Sequence, residues 1–191
     1  MWLAPGVALL VIDLQKAIDD PRWSKDGPRN NPEAEANIAQ VLASWRKAGR
    51  PIFHIRHDST EPHSAYRPGQ PGNDFKAEAL PLSGEAVIAK RTNSAFIGTD
   101  LESRLRAAGI KSVVICGATT NHCVETTTRM AGNLGFDTRL VRDATWTFER
   151  IGPDGDAHSA EAIHTMTLSN LNGEFVRIVT AAEAIASLKE M

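Results

Sequence analysis

Six short apolar runs, rich in β-branched residues, recur along the chain between longer amphipathic stretches. They cover residues 7–12, 51–57, 86–89, 112–116, 136–141 and 174–179. The first closes on Asp13, the third on Lys90 and the fourth on Gly117. The first and fourth are almost continuously apolar, as strands of a parallel sheet covered on both faces must be. The stretches between carry helix signals. Asn31 followed by Pro32 predicts a capped helix start, running to about Lys47 before Gly49. Thr99 and Glu102 fit a capping box, with Leu101, Leu105 and Ala108 as the apolar stripe behind it. Residues 124–134 and 156–171 read as helices stopped near Gly135 and Gly173, and Thr180 with Glu183 forms a second capping box. Residues 58–84, dense in Pro, Gly, Ser and His, are too many for an ordinary connection and predict a functional loop.

Strands alternating with helices predict an α/β fold: a doubly wound, Rossmann-like three-layer arrangement around a six-stranded, mostly parallel sheet. The 191 residues suit one domain, 1–191, with the 58–84 segment as its active-site loop. Composition narrows the class further. Apolar residues at 42% and charged residues at 23% argue against disorder and coiled coil. A formal net charge of -2 speaks against nucleic acid as a partner. Two cysteines cannot staple a chain of this length and fit a reducing compartment. Residues 1–13 contain no Lys or Arg, and the apolar run at 7–12 is too short for a signal core or a membrane span. The expectation is a cytoplasmic protein with no membrane partner.

In open parallel sheets, ligands bind outside the carboxyl ends of the strands. Three reactive side chains pass that filter: Asp13 after the first strand, Lys90 at the third, and Cys123 after the fourth. An acid, an amine and a thiol would converge at one edge. A free thiol has a pKa of ~8.5, and a helix N-terminus or a nearby ammonium favours its thiolate. Cys123 sits where the next helix is expected to begin, and Lys90 supplies an ammonium, so a lowered thiol pKa is expected. Asp13 is placed to take the thiol proton and return it to a leaving amine. Each residue also has an ordinary alternative. Asp13 fits a turn cap, Lys90 beside Arg91 fits a solvated pair, and a cysteine is often a small buried hydrophobe. Cys116, inside an apolar strand, takes that last reading. Cys116 and Cys123 do not make a C-x-x-C redox pair.

Longer patterns around these residues resemble the isochorismatase-like cysteine hydrolases. Asp13-Leu14-Gln15 resembles the D-x-Q motif of the first strand in that family. The stretch from Lys90 through Ser94, Ala95, Phe96 and Thr99 to Leu101 resembles K-x-x-x-S-A-F-x-x-T-x-L. Gly117, Thr120, Cys123, Val124 and Thr127 fall on G-x-x-T-x-x-C-V-x-x-T, and Asp143-Ala144 matches a following strand-end D-A. The motifs occur in order over nearly the whole chain. The resemblance implies a triad of Asp13, Lys90 and Cys123, and a thioester on Cys123. It implies a cis peptide, placed at Ala118–Thr119, and backbone N–H groups of Thr119 and Cys123 as an oxyanion hole. It also implies a homo-oligomer, dimer or tetramer, acting on a small-molecule substrate.

The nicotinamidase branch of that family carries a metal after the second strand in a D-x-H arrangement. Here the segment reads His57-Asp58 with His63 further on, and the D-x-H order is absent, so no metal and no cofactor are expected. The complete triad favours hydrolysis of a carbon–nitrogen bond in an amide, imide or carbamoyl compound. Isochorismatase-type vinyl-ether hydrolysis and non-catalytic small-molecule binding are the alternatives. Expected substrate contacts are Gln15, Trp23, His57, Asn93, His122 and Trp146, with Tyr66 and Arg67 nearby. Trp146 reads equally as a pocket wall or as a plug at the core edge, and His122 as a substrate contact or as a solvent-facing helix-start residue. The first βα turn lacks G-x-G-x-x-G, which argues against a dinucleotide-binding oxidoreductase.

Overall fold

The computed structural model of the protein describes residues 6–188; residues 1–5 and 189–191, the ends of the expected 1–191 domain, lie outside the described residues. Its strands are β1 (Val7–Ile12), β2 (Ile52–His57), β3 (Ala86–Lys90), β4 (Ser112–Ala118), β5 (Asp137–Trp146), β6 (Arg150–Ile151), β7 (Ala157–His158) and β8 (Arg177–Val179). The α-helices are α1 (Ala34–Lys47), α2 (Leu101–Ala107), α3 (Glu125–Asn133), α4 (Ala160–Leu171) and α5 (Ala181–Ser187). Six strands form one sheet in the order β3-β2-β1-β4-β5-β8, and every pairing is parallel. β6 and β7 form a separate antiparallel hairpin.

The alternation of side chains along β1 divides the interior into two cores. Val7, Leu9 and Val11 pack with Ile38, Val41, Leu42 and Trp45 of α1 and Ala184 of α5. Ala8, Leu10 and Ile12 point the other way, to Leu101 and Leu105 of α2, Ala131 of α3 and Leu171 of α4. Both faces of the sheet are therefore covered, which explains why β1 and β4 are apolar at successive positions. Each such fully buried Leu or Ile contributes ~1.5–3 kcal/mol relative to exposure, so the two cores dominate the local preferences of the connections. The chain winds outward in opposite directions from β1 and β4. Their carboxyl ends flank the switch point at which open α/β sheets bind ligands. Among the described residues no helix is long and apolar enough to cross a membrane.

Several element boundaries depart from the sequence expectation, each for a visible reason. α1 starts at Ala34. Asn31 does not cap it: at φ 45° its Nδ2 donates to the carbonyls of Arg142 (2.9 Å) and Thr145 (2.7 Å) on β5. The capping box at Thr99 does not form: Asp100 is the residue that precedes α2, Thr99 Oγ1 accepts from Leu101 N (3.4 Å) and not from Glu102 N, and Glu102 is turned to Arg106 (2.8 Å). α4 begins at Ala160 with Ser159 as its cap, and part of the segment expected to be its first turn is spent in the β6–β7 hairpin. β5 runs on to Trp146 through a register shift against β4, with Leu140 opposite Ile115 and Thr145 opposite Gly117. Thr180 and Glu183 do form the reciprocal box at α5.

Candidate active site

Asp13, Lys90 and Cys123 arrive from three elements. Asp13 follows β1 directly, in a left-handed conformation (φ 48°), a position where a short polar side chain is tolerated. Lys90 is the last residue of β3, paired in register with His57 of β2, and its side chain reaches across that strand. Cys123 lies in a π-helical turn, Thr120–Val124, that follows the cis peptide Ala118–Thr119 and leads into α3. Asp13 and Lys90 are 3% and 1% exposed, so both are nearly sealed from water. A lysine buried to this degree needs partners. Its Nζ donates to Asp13 Oδ2 at 2.6 Å, to the Thr92 carbonyl at 3.1 Å and to Cys123 Sγ at 3.4 Å, and lies 3.0 Å from His57 Nδ1. Asp13 Oδ1 is buried and has no hydrogen-bond partner.

These contacts correct the expected thiol chemistry. Burial pushes the Cys123 thiol well above the ordinary range, the Asp13 carboxylate pushes it further, and the Lys90 ammonium only partly opposes them. Lys90 sits closest to Asp13, and the sulfur is the longest of its contacts, so its charge stabilises the carboxylate first. Cys123 lies inside the π turn that runs directly into α3, so the helical stretch begins at Thr120, three residues before the expected start at Cys123. The resting thiol is therefore protonated, beside a carboxylate oxygen free to receive the proton. Cys116 is fully buried in β4, where desolvation pushes its thiol up to about 12, and it has no part in the site.

A cavity of about 210 Å³ opens onto Cys123. It is smaller than the ~300–1,000 Å³ usual for drug-sized ligands, so it suits a small substrate. Trp23, His57, Asn93 and His122 line it, together with Tyr66, Ser64, Ile18, Ala118 and Thr119. The aromatic walls brace one another: the ring of Tyr66 lies 5.6 Å from His57 and 6.3 Å from Trp23, edge-on to both. Burial lowers the pKa of His57, with Lys90 next in effect; burial also lowers that of His122, with Arg150 next. Both imidazoles are thus neutral, and His57 Nδ1 accepts from Lys90.

Two expected substrate contacts do not reach this cavity. Gln15 is fully buried and spends its amide on the backbone: Oε1 accepts from His57 N (2.7 Å), and Nε2 donates to the carbonyls of His57 (3.1 Å) and Asn73 (2.9 Å). It fastens the ends of β1 and β2 to the long loop. Trp146 is a plug, packed at 0% exposure in the α1 core beneath the Arg29 guanidinium. Arg67 also stays outside, holding the Pro62 carbonyl. Ile18 and Ser64 carried no sequence signal. Arg150, near the mouth, falls in a stretch with no periodic pattern.

The donor set does not fit a bound metal. Asp58 is held by both arms of Arg56 (2.8 and 2.9 Å), and exposed His63 lines a neighbouring cavity. Ligand atoms of Asp13, His57 and Cys123 do lie within 4.8 Å of one another, but the Lys90 ammonium already contacts all three. A fixed cation thus stands where a metal would bind.

Comparison with known proteins agrees with this architecture. The Isochorismatase domain model matches residues 7–183. Isochorismatase family protein YrdC of Bacillus subtilis (strain 168) is 45% identical over 93% of this chain and 94% of its own length. Nicotinamidase 3 of Arabidopsis thaliana is 30% identical over 95% of this chain and 88% of its own. The solved structure of an isochorismatase-family protein from Chromobacterium violaceum ATCC 12472 superposes with a TM-score of 0.95 at 49% identity, covering 100% of this chain and 98% of that one. The fold is thus shared along almost the whole length, and the chain belongs to the isochorismatase family of hydrolases.

Proposed function

We propose that the protein is a cysteine-dependent hydrolase that cleaves the carbon–nitrogen bond of a small amide, imide or carbamoyl compound through a thioester on Cys123. The observation that carries this reading is the buried Lys90 ammonium, which touches both Asp13 and Cys123 while Asp13 Oδ1 stays unpartnered. Its relatives include a nicotinamidase, an amidase by name.

The geometry supports the following sequence. As a carbonyl carbon enters the cavity, the thiol proton passes to Asp13 and sulfur bonds to the carbon. Negative charge moves to the carbonyl oxygen, for which the backbone N–H groups of Thr119 and Cys123 are the proposed donors. Collapse breaks the carbon–nitrogen bond, and Asp13 returns the proton to the leaving amine. A water molecule then loses a proton to Asp13 and attacks the thioester. The carbon–sulfur bond breaks, the acid leaves, and the proton on Asp13 restores the thiol. Lys90 holds Asp13 in place and balances its charge throughout.

The test is ammonia or amine release from a panel of amides, imides and carbamoyl compounds, with Cys123→Ala as the control. Turnover should fall by ~10³-fold or more in the variant, and rapid quenching of the wild type should trap an acyl adduct on Cys123. Undiminished turnover in Cys123→Ala, of an amide or of a vinyl ether, would falsify the proposal.

A further inference from the structure

The catalytic cavity opens beside a larger one of about 390 Å³, and the two share Trp23, Ser64 and Tyr66 as walls. Arg150, the first residue of the β6–β7 hairpin, lines the outer cavity. Its guanidinium lies 5.8 Å from the centre of the Trp23 ring, and its Nη2 is 3.5 Å from His122 Nε2. His122 immediately precedes Cys123 in the chain and lines the inner cavity. Arg150 thus stands one side chain away from the nucleophile.

What marks this arginine is the absence of an anion. Its Nε is buried without a hydrogen-bond partner, and among the described residues it makes no ion pair. The other arginine of the outer cavity, Arg22, is already matched by Asp20 at 2.7 Å. Glu61 is the remaining carboxylate of that cavity, and it is exposed and in no ion pair with Arg150. The inner cation, Lys90, is committed to Asp13. His122, the imidazole between nucleophile and guanidinium, is neutral, so it does not compete for a negative charge. A planar guanidinium with open donors, stacked near an indole at a cavity mouth, is the arrangement that holds a carboxylate.

We infer that Arg150 is a specificity residue for a carboxylate on the substrate, so that the preferred substrate is an amide bearing an anionic group a few atoms from the scissile carbonyl. The inference rests on the cysteine-hydrolase reading for its substrate and on the two joined cavities for its geometry. The inner cavity takes the amide; the charged end projects past His122 and Trp23 toward Arg150.

Half-amides and diamides of equal length test it: malonamate against malonamide, succinamate against succinamide, glutaramate against glutaramide. At least one half-amide should be preferred over its diamide by the wild type. Arg150→Met should lower that preference, read as the ratio of kcat/KM values, by about tenfold to a hundredfold, mostly through KM. Arg150→Lys should restore part of it. A binding arm separates this inference from the catalytic proposal: Cys123→Ala protein is titrated calorimetrically with malonate, succinate and glutarate. At least one dicarboxylate should bind, and binding should weaken on adding Arg150→Met. If Cys123→Ala keeps hydrolysing amides, the catalytic reading fails while this arm still reports on Arg150. No preference for the charged member of any pair, or a preference and dicarboxylate affinity untouched by Arg150→Met, overturns the inference.

Discussion

The Lys90 ammonium carries three protons and faces four acceptors: Asp13, His57, the Thr92 carbonyl and the Cys123 sulfur, in order of increasing distance. The sulfur is last, and burial with the neighbouring carboxylate holds its proton on. The two charged neighbours therefore act on the thiol in opposite directions. Asp13→Asn removes the group that raises the thiol pKa, so Cys123 should alkylate with iodoacetamide faster at pH 7.5, about tenfold for each pKa unit lost. Lys90→Met removes the group that lowers it, so alkylation should slow by a similar factor. Both variants should lose turnover. In wild type, labelling of Cys123 should climb only above pH ~8.5, the range of an ordinary thiol, while Cys116 should label only on unfolding. Mass spectrometry of tryptic peptides from variants with a native near-UV spectrum reads all of this. Equal slowing in both variants would show that this pair does not set the thiol.

The turn that carries Cys123 depends on how closely β4 approaches β1. Gly117 sits at φ 124°, and a Cβ there would overlap the carbonyl and amide of Ile12, which are backbone atoms and cannot swing aside. Gly117→Ala should therefore cost about 3 kcal/mol or more, seen as a lower urea midpoint. Gly135, also at positive φ but facing open space, should cost about 1–2 kcal/mol on the same change. An equal loss in both would mean that contact with Ile12 adds nothing to the left-handed strain. This region also marks how far the sequence could be read. β1 and β4 announce themselves because burial on both faces leaves an unbroken apolar run, and Thr180 with Glu183 forms its box because nothing else competes for either side chain. The continuation of β5 through Arg142, Asp143 and Thr145 has no such run, since it arises from a register shift against β4. The π turn has no sequence signature of its own, so a helix start was expected where Cys123 lies. Asp13, Lys90 and Cys123 were legible because strand-end polar residues are few. The sequence places Gln15 wrongly and leaves Trp146 open between wall and plug, because side-chain direction at a strand end depends on partners far along the chain: Asn73 for one, Arg29 for the other.

Across the whole molecule, four histidines are held with pKa values below the ordinary 6.5, burial being the first cause in each: His54, His57, His122 and His164. They are widely spread. His54 lies on β2 with its Nε2 2.7 Å from Glu85 Oε2, His57 and His122 wall the cavity, and His164 on α4 meets Thr120 Oγ1 of the π turn at 2.9 Å. A group that stays neutral in the fold but protonates in the unfolded chain makes the unfolded state the better proton acceptor as pH falls below 6.5. Stability is then lost in that direction, at a limiting slope of about 1.4 kcal/mol per pH unit for each such group. Glu85 adds a second, lower window. Arg46 and neighbouring groups hold its carboxyl at about 2, below the ordinary 4.5, so its contribution is present above 4.5 and disappears as pH drops toward 2. The urea midpoint should accordingly be level between pH 7 and 8, fall steadily from about pH 6.5 to 4.5, and fall again below that. His164→Gln should reduce the upper slope. A midpoint that stays level from pH 7 to 5 would mean that these four imidazoles take up protons in the folded molecule as readily as in the unfolded chain, and that burial does not hold them neutral.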